Sequence, residues 1–200
     1  VPLGTLAAWR MGGWLDRGLS LVSVLGFSVP VFVLAYALIW LLAVKLQWLP
    51  VQGYRRLSEG LGPFARHLVL PTITLAFVYV ALIARVTRAA VSEALTEDYV
   101  RTARAKGLSE TRVLLRHALA ASAVPIVTVI GVGIALLIGG VVVTETVYAI
   151  PGLGSLTVEA VLNRDFPVIQ GVILVFSVAY VVVNLLVDLS YLALDPRIRY

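Results

Sequence analysis

Four long apolar runs without a charged residue constrain the fold of this 200-residue chain more than any other feature. A helix that crosses a bilayer needs about 20 predominantly apolar residues, whereas the strands of a membrane barrel are much shorter and alternate in polarity. Only 14% of the residues are charged, against about 25% in typical soluble domains. The sequence therefore predicts an all-α integral membrane protein. The runs are residues 19–44, 68–84, 118–144 and 166–187.

The second run is the shortest, and it extends to residue 91 only if Arg85 and Arg88 direct their charged ends toward lipid headgroups. We therefore predict a single membrane domain over residues 1–200. Its four full spans are predicted at about 19–44, 68–91, 118–144 and 166–190. The apolar segment Val1–Ala8 is too short to span, and we interpret it as the end of a preceding membrane helix whose start is cut away, the alternative being a loose tail.

The charges between the runs predict an orientation. The connection Arg85–Arg116 holds seven basic and four acidic residues, whereas Glu145–Pro167 holds one basic and three acidic residues. Because basic loops stay on the cytoplasmic side, the first connection is predicted inside and the second outside. The segment Lys45–His67 must then lie outside although it carries four basic residues, which is the main discord in this topology.

Proline and small residues add local predictions. Pro30 and Pro125 lie within apolar runs and should kink or break those helices. Pro71 follows the start of its run closely, where a helix tolerates proline. Gly131, Ala135 and Gly139 recur every four residues and form a small-residue stripe that permits close helix packing.

The predicted cytoplasmic connection, at about 92–117, contains a charged, helix-prone segment between two spans. Thr96 can cap a helix that starts at Glu97, Gly107 suits a left-handed position after its end, and Ser109 can cap a second helix. The pattern predicts a helix, a tight turn and a helix. Two interpretations remain from the charges alone: contact with anionic lipid headgroups, or docking in the groove of a partner protein.

Several motifs in this order resemble a known family. They are TARAKGLS (102–109), LLRHAL (114–119) with Pro125, ETVYAIPGLGSL (145–156), NRDFPVIQG (163–171), DLSYLALDPRIRY (188–200) and the N-terminal VPLGTLAAWRMGGWLDRGLS (1–20). Together they resemble the permease subunits of ABC importers, most closely the dipeptide, oligopeptide and nickel branch. The resemblance covers essentially the whole chain. It implies a type I (MetI-like) transmembrane helix bundle of six spans, of which the first and most of the second are missing here.

The resemblance also implies partners and sites. It implies a bacterial or archaeal cytoplasmic membrane, ABC ATPase subunits, a second similar permease subunit and an extracytoplasmic solute-binding protein. The small-residue stripe is a candidate face for the second permease. The outer gate or binding-protein contact is predicted near Pro151, Gly152, Leu153 and Gly154. The surface that docks on the ATPase is carried over as Thr102, Ala103, Arg104, Ala105, Lys106, Gly107, Leu108 and Ser109. Arg101 departs from the family pattern, which has a glutamate there, so its individual contact is left open.

The sequence lacks several other kinds of site. It contains no G-x-x-x-x-G-K-[ST] phosphate loop, so ATP binding is expected on a different polypeptide. It also contains no cysteine, which excludes disulfides and thiolate metal sites. His67 and His117 lie at predicted membrane edges without clustered acidic residues, so no metal ligand is predicted. No catalytic residue and no cofactor is predicted. No nucleic-acid partner is predicted either, since the basic residues form no dense patch with aromatic residues. Lipid is the expected surrounding of the spans.

Two rival functions stay open from the residues. An ion- or proton-coupled carrier would use Asp188, Glu145 or Arg85 as coupling charges, although no internal repeat is visible. A non-transporting membrane scaffold is the third reading. Asp188 and Asp195 near the last helix end can simply pair with Arg197 or Arg199. Polar residues within or beside the spans default to pathway or pairing roles, and they are Tyr79, Thr87, Glu145, Tyr180, Asn184 and Asp188.

Overall fold

The computed structural model describes residues 1–194, except for the side chains of residues 138–140, 193 and 194. Within this range all regular elements are helical, which confirms the all-α prediction. Two of them contain wider π-helical turns, at Ile39–Lys45 and Val113–Ala118. The helices are α1 (Pro2–Trp9), α2 (Trp14–Ser28), α3 (Val31–Lys45), α4 (Leu61–Ala94), α5 (Asp98–Ala105), α6 (Glu110–Ala121), α7 (Ala123–Tyr148), α8 (Leu153–Leu162) and α9 (Phe166–Leu194).

Helix length and composition make this a multi-pass membrane protein. By these criteria α4 and α9 can each cross a membrane unaided, since α4 has 34 residues and α9 is apolar over at least the 27 residues Phe166–Leu192. Three further pairs of consecutive helices qualify if each bent pair counts as one span, so the described residues hold between two and five candidate spans. At about 1.5 Å rise per residue, a helix as long as α4 exceeds the roughly 30 Å hydrocarbon core. Its ends therefore extend beyond the membrane interior.

Proline divides the first predicted span. α2 ends at Ser28 and α3 begins at Val31, with Pro30 in an extended conformation between them (φ −57°, ψ 140°). Pro30 has no N–H to continue α2, but its fixed φ suits the residue before a new helix. The predicted break at Pro30 is therefore confirmed. A break before α7, at Ser122, likewise bends the chain by 60° beside Pro125.

The prediction for Pro71 was wrong. α4 begins at Leu61, well before the apolar run, so Pro71 lies inside the helix rather than near its start. The helix starts early because Gly60, with a positive φ of 117°, ends the preceding turn, and Pro63 fits the first helical turn. Sequence hydropathy marks the apolar part of such a helix and misses its polar first turns.

One compact unit comprises segments 1–27, 79–133 and 183–194. Small residues bring its helices close together. Gly4 of α1 lies so near Thr87 and the Ala84 carbonyl of α4 that a Cβ would overlap them, and Gly131 of α7 lies similarly against the Val187 side chain of α9. Gly131 of the predicted stripe therefore packs within the chain. The buried core of this unit is Ala8, Val91, Ala94, Leu114, Ala118 and Ile126.

The second compact unit comprises segments 28–78 and 134–182. Its core is built around the buried side chain of Tyr148 and contains Ala35, Ile39, Ala43, Leu70, Val147 and Tyr148. Gly139 of the predicted stripe belongs to the residues whose side chains are not described, and the predicted pairing of Asp195, Arg197 and Arg199 lies outside the described residues.

Candidate functional site

The connection between α4 and α6 folds as the predicted helix, turn and helix. α5 begins at Asp98, with Glu97 as its extended N-cap residue (φ −69°, ψ 151°). The prediction that Thr96 caps a helix starting at Glu97 was wrong, because the Thr96 hydroxyl instead donates 2.7 Å to the Glu93 carbonyl at the end of α4. Asp98 in the first turn and Arg104 in the last turn both suit the helix dipole.

Gly107 ends α5 in the left-handed conformation that the sequence predicted. Its φ is +78°, and Lys106 precedes it as the C-cap residue. The Gly107 N–H donates to the Arg104 carbonyl at 2.9 Å, and the Leu108 N–H donates to the Ala103 carbonyl at 3.3 Å. These two bonds form a Schellman motif, which satisfies carbonyls at the helix end and fixes the direction of the following chain.

A small buried cluster holds α5 against α6. Val100 is fully buried, Ala103 is 5% exposed, and both pack with Val113 of α6. Leu95 and Leu108, both half-buried, close the two ends of this cluster. α5 therefore has one apolar face that is already occupied within the chain, and its other faces are free.

The exposed face of α5 and the turn is polar and cationic. Six of the eight predicted docking residues are exposed: Thr102, Arg104, Ala105, Lys106, Gly107 and Ser109. The structure corrects the placement of the remaining two, because the Ala103 side chain is buried in the cluster and Leu108 is half-buried beside it. These two residues support the surface from beneath rather than form it.

Ion pairs arrange the charges on this surface. The Arg104 guanidinium donates to both carboxylate oxygens of Glu110, at 2.9 and 3.2 Å, and so bridges the turn. Arg101 lies 3.3 Å from Asp98 on the same helix, and both side chains are highly exposed. Partial burial and the nearby charge of Glu97 raise the pKa of the Tyr99 phenol above its ordinary value.

The same segment is continuous with the core of the first unit. Leu95, which follows α4, packs against both the α5–α6 cluster and the cluster that contains Val91 and Ala8. Leu114 and Ala118 of α6 belong to the latter cluster. A force on α5 therefore meets a packed core rather than a flexible loop.

The predicted outer gate forms a second, separate feature. The chain turns by 83° between the end of α7 and α8, through Pro151 and Gly152. The Glu145 carboxylate accepts the Ser155 backbone N–H at 2.8 Å, and it lies where a Cβ at Gly152 would be. Gly154 is buried, and a Cβ there would lie 2.5 Å from the Val142 Cα. The glycines therefore allow the corner to fold closely over Glu145, and of the four predicted residues only Pro151 and Leu153 are well exposed.

The loop after α3 is fastened to this corner. The Gln52 side chain donates 2.7 Å to the Val147 carbonyl, and the Gly53 N–H donates 2.9 Å to the Tyr148 carbonyl. A cavity of about 740 Å³ lies beside the same loop. Hydrogen bonds from the Arg56 N–H and the Arg55 side chain lower the pKa of Glu59 at its edge. The cavity is lined by Gln47, Leu49, Pro50, Arg55, Glu59, Gly62, Pro63, Arg66 and His67.

Sequence reasoning missed the ion pair that joins α2 to α4. Asp16 of α2 is paired with Arg88 of α4, 72 residues later. Arg88 was interpreted as a headgroup ligand, yet its guanidinium is bound inside the protein. An aspartate in the first turn of one helix and an arginine inside a later apolar stretch were visible, but nothing in the sequence joined them.

Comparison with known proteins decides the family. The family described as "Binding-protein-dependent transport system inner membrane component" matches residues 1–200, the whole chain. The chain belongs to this family. Among the curated relatives of this chain, a probable peptide ABC transporter permease of Sinorhizobium fredii is 54% identical over 200 residues, covering 100% of this chain and 64% of the relative.

Other relatives carry related names. The di/tripeptide transport system permease protein DppB of Pseudomonas aeruginosa is 41% identical over 98% of this chain and 65% of its own length. The glutathione transport system permease protein GsiC of Escherichia coli is 44% identical over 97% of this chain and 60% of its own length. The chain thus spans 60 to 65% of the length of these curated relatives. The resemblance of the sequence to peptide-type permeases is confirmed.

Proposed function

We propose that this chain is a permease subunit of an ATP-driven importer that moves peptides or a related small solute across the cytoplasmic membrane of a bacterium. The relatives named for peptide and glutathione transport support the substrate class. The observation that carries the mechanism is the α5–α6 segment: a rigidly terminated helix with an exposed cationic face, packed through Leu95 onto the membrane helices.

In this mechanism α5 is the coupling helix. A separate ATPase subunit grips the exposed face formed by Thr102, Arg104, Ala105, Lys106 and Ser109. Closure of the ATPase subunits on ATP displaces α5, and the packed core passes this displacement to the spans. The spans then alternate between states open to the outside and to the inside. This chain breaks no covalent bond, and the hydrolysis takes place on the partner.

On the other side, an extracytoplasmic binding protein delivers the solute near the corner at Pro151 and Leu153. A second permease subunit completes the path. Selectivity among peptides, glutathione-like molecules and metal chelates then depends largely on the binding protein, so a ligand screen on that protein would identify the solute.

The docking role can be tested by one matched pair of variants. Arg104→Gln and Glu110→Gln each remove the same exposed ion pair, so their effects on folding should be equal and small, about 0 to 1 kcal/mol. Only Arg104→Gln removes the cation from the proposed docking face. We expect it to reduce nucleotide-dependent co-purification with the ATPase severalfold, while Glu110→Gln retains most of it.

Two results would contradict the proposal. The first is an intact transporter that never associates with an ATPase at any nucleotide state. The second is uptake that collapses with a proton ionophore while ATP is maintained, which would favour a proton-coupled carrier. Of the three coupling charges that such a carrier could use, the Glu145 carboxylate is bound to the Ser155 N–H and the Arg85 guanidinium lies 5.7 Å over the Phe27 ring, whereas Asp188 is exposed near the end of α9. The ionophore experiment therefore decides between the two functions.

A further inference from the structure

A partly buried ion pair joins α2 to α4. The Arg88 Nε donates to Asp16 Oδ1, and Arg88 Nη2 donates to Asp16 Oδ2 at 2.9 Å. The Asp16 side chain is 8% exposed and the Arg88 side chain 34%. The geometry is the two-pronged one that guanidinium and carboxylate groups favour, so the pair fixes orientation as well as distance.

The turn between α1 and α2 is built around the same carboxylate. Gly12, with a φ of +76°, donates its N–H to Asp16 Oδ2 at 2.9 Å. The Asp16 carbonyl accepts the Ser20 hydroxyl at 2.8 Å. Asp16 therefore holds the α1–α2 turn and the side of α4 at one point.

A second contact shows how the two helices run. The Ser23 hydroxyl lies 3.4 Å from the Ala81 carbonyl, seven residues after Asp16 on α2 and seven residues before Arg88 on α4. The helices are therefore antiparallel neighbours, and contacts at 16/88 and 23/81 define one register. Among the described residues, the other contacts of this kind between the two helices are a cation–π contact of Arg85 with the Phe27 ring at 5.7 Å and the long Ser23 hydroxyl contact. Without the ion pair the register therefore rests on these two contacts and on apolar packing.

The pair is close to the segment assigned to coupling. Arg88 lies six residues before the end of α4 at Ala94, which is about 9 Å along a helix axis. Between them Val91 and Ala94 belong to the buried cluster that also contains Ala8 of α1 and Leu114 of α6. Apolar packing thus joins α1 to the end of α4 and to α6. The ion pair joins α2 to α4 close to this cluster.

Net stability is a weak reason for such a pair. Desolvation offsets much of the attraction between buried charges, and replacing both partners with apolar side chains of similar volume is often neutral or stabilising. What apolar packing does not supply is a directional bond that resists sliding of one helix along another.

We propose that Asp16 and Arg88 are positioning residues that keep α2 and α4 in one register, so that displacement of the coupling helix α5 is passed to α1 and α2 instead of being lost as sliding between helices. The proposal rests on the importer function proposed above. It predicts that loss of the pair uncouples ATP hydrolysis from transport rather than abolishing either assembly or hydrolysis.

The test uses the complete transporter, with its ATPase, second permease and binding protein, in proteoliposomes. The readouts are uptake of a labelled peptide, ATP hydrolysis and thermal unfolding. We expect Asp16→Asn and Arg88→Gln each to lower uptake about tenfold while hydrolysis changes less than twofold. The charge-reversed variant Asp16→Arg/Arg88→Asp should recover at least a third of the normal peptide-to-ATP ratio. Arg17→Gln is the matched control, since it removes an exposed cation from the same helix.

An apolar variant separates positioning from folding. Asp16→Leu/Arg88→Met should unfold at the normal temperature or above, yet remain uncoupled. If this variant couples normally, or if charge reversal does no better than the single variants, the pair has only a structural role and the proposal is wrong. If the single variants fail to fold, the peptide-to-ATP ratios of the apolar and charge-reversed variants decide whether the pair has a positioning role. A wild-type transporter without ATP-dependent uptake would overturn the proposed function as well, whereas normal wild-type uptake with unaffected variants overturns the pair alone.

Discussion

The phenol of Tyr148 lies 2.7 Å from the hydroxyl of Thr74, and both side chains are fully buried. The Thr74 hydroxyl also contacts the Leu70 carbonyl at 2.9 Å. Since a threonine hydroxyl has one proton, which it donates to Leu70, the Tyr148 phenol is the donor to Thr74. This bond joins α7 to α4 just below the corner that carries the predicted outer gate.

Loss of this bond should lower stability measurably. Tyr148→Phe removes the donor but leaves Thr74 bonded to Leu70, so we expect the free energy of unfolding to fall by about 1 kcal/mol. Denaturant unfolding of the purified protein in detergent micelles would measure it. Tyr36→Phe is the control, because that side chain is 57% exposed. Equal stability of the two variants would show that the buried bond contributes nothing.

Two alanines of α5 should respond differently to the same enlargement. Ala103 is buried against Val113, so Ala103→Leu should overpack the cluster and cost about 1 to 3 kcal/mol. Ala105 is exposed, so Ala105→Leu should leave unfolding unchanged while weakening ATPase co-purification by obstructing the proposed docking face. The free energy of unfolding and co-purification with the ATPase are measured for both variants. Destabilisation by Ala105→Leu, or none by Ala103→Leu, would contradict the faces assigned here.

The turn after α5 should require glycine at position 107. Because its φ is +78°, Gly107→Ala places a Cβ in the left-handed region at a cost of about 1 to 2 kcal/mol, although the space around it is open. We expect uptake to fall with little change in membrane insertion or expression. Gly18→Ala also enters open space but in an ordinary helix, so it should leave uptake unchanged. Full uptake by the Gly107 variant would argue against a rigid coupling turn.

The corner between α7 and α8 should show coupling between two residues. Gly152→Ala would push aside the Glu145 carboxylate and break its bond to the Ser155 N–H, costing about 1 to 3 kcal/mol. With Glu145→Ala already present, the same change should cost less, because the obstructing carboxylate is gone. A double-mutant cycle on unfolding measures this interaction. Strict additivity would contradict the contact, and Gly171→Ala, which enters open space, is the control.

Much of the coupling segment was predictable because its signals are local. The left-handed glycine and the charges at the helix ends depend on neighbours within a few residues. Ser109 stands at the predicted N-cap position of α6, but its side chain makes no capping hydrogen bond. The cap assigned to Thr96 failed for a related reason: its hydroxyl had a nearer acceptor in the Glu93 carbonyl at the end of α4. Which residue begins a helix therefore depends on competition between nearby hydrogen-bond partners of the capping side chain.

The membrane class, a helical fold, the break at Pro30 and the family were predictable, because apolar length, proline chemistry and ordered motifs can be read along the chain. Which faces of the helices are used depends on the tertiary structure. It placed Ala103 inward, set Gly131 against Val187, and joined Asp16 to Arg88 and Tyr148 to Thr74. Except for the burial of Ala103, which is local, these contacts link residues more than 50 positions from each other in the sequence. Helical periodicity gives each helix a polar or apolar face but does not say which helix lies against it.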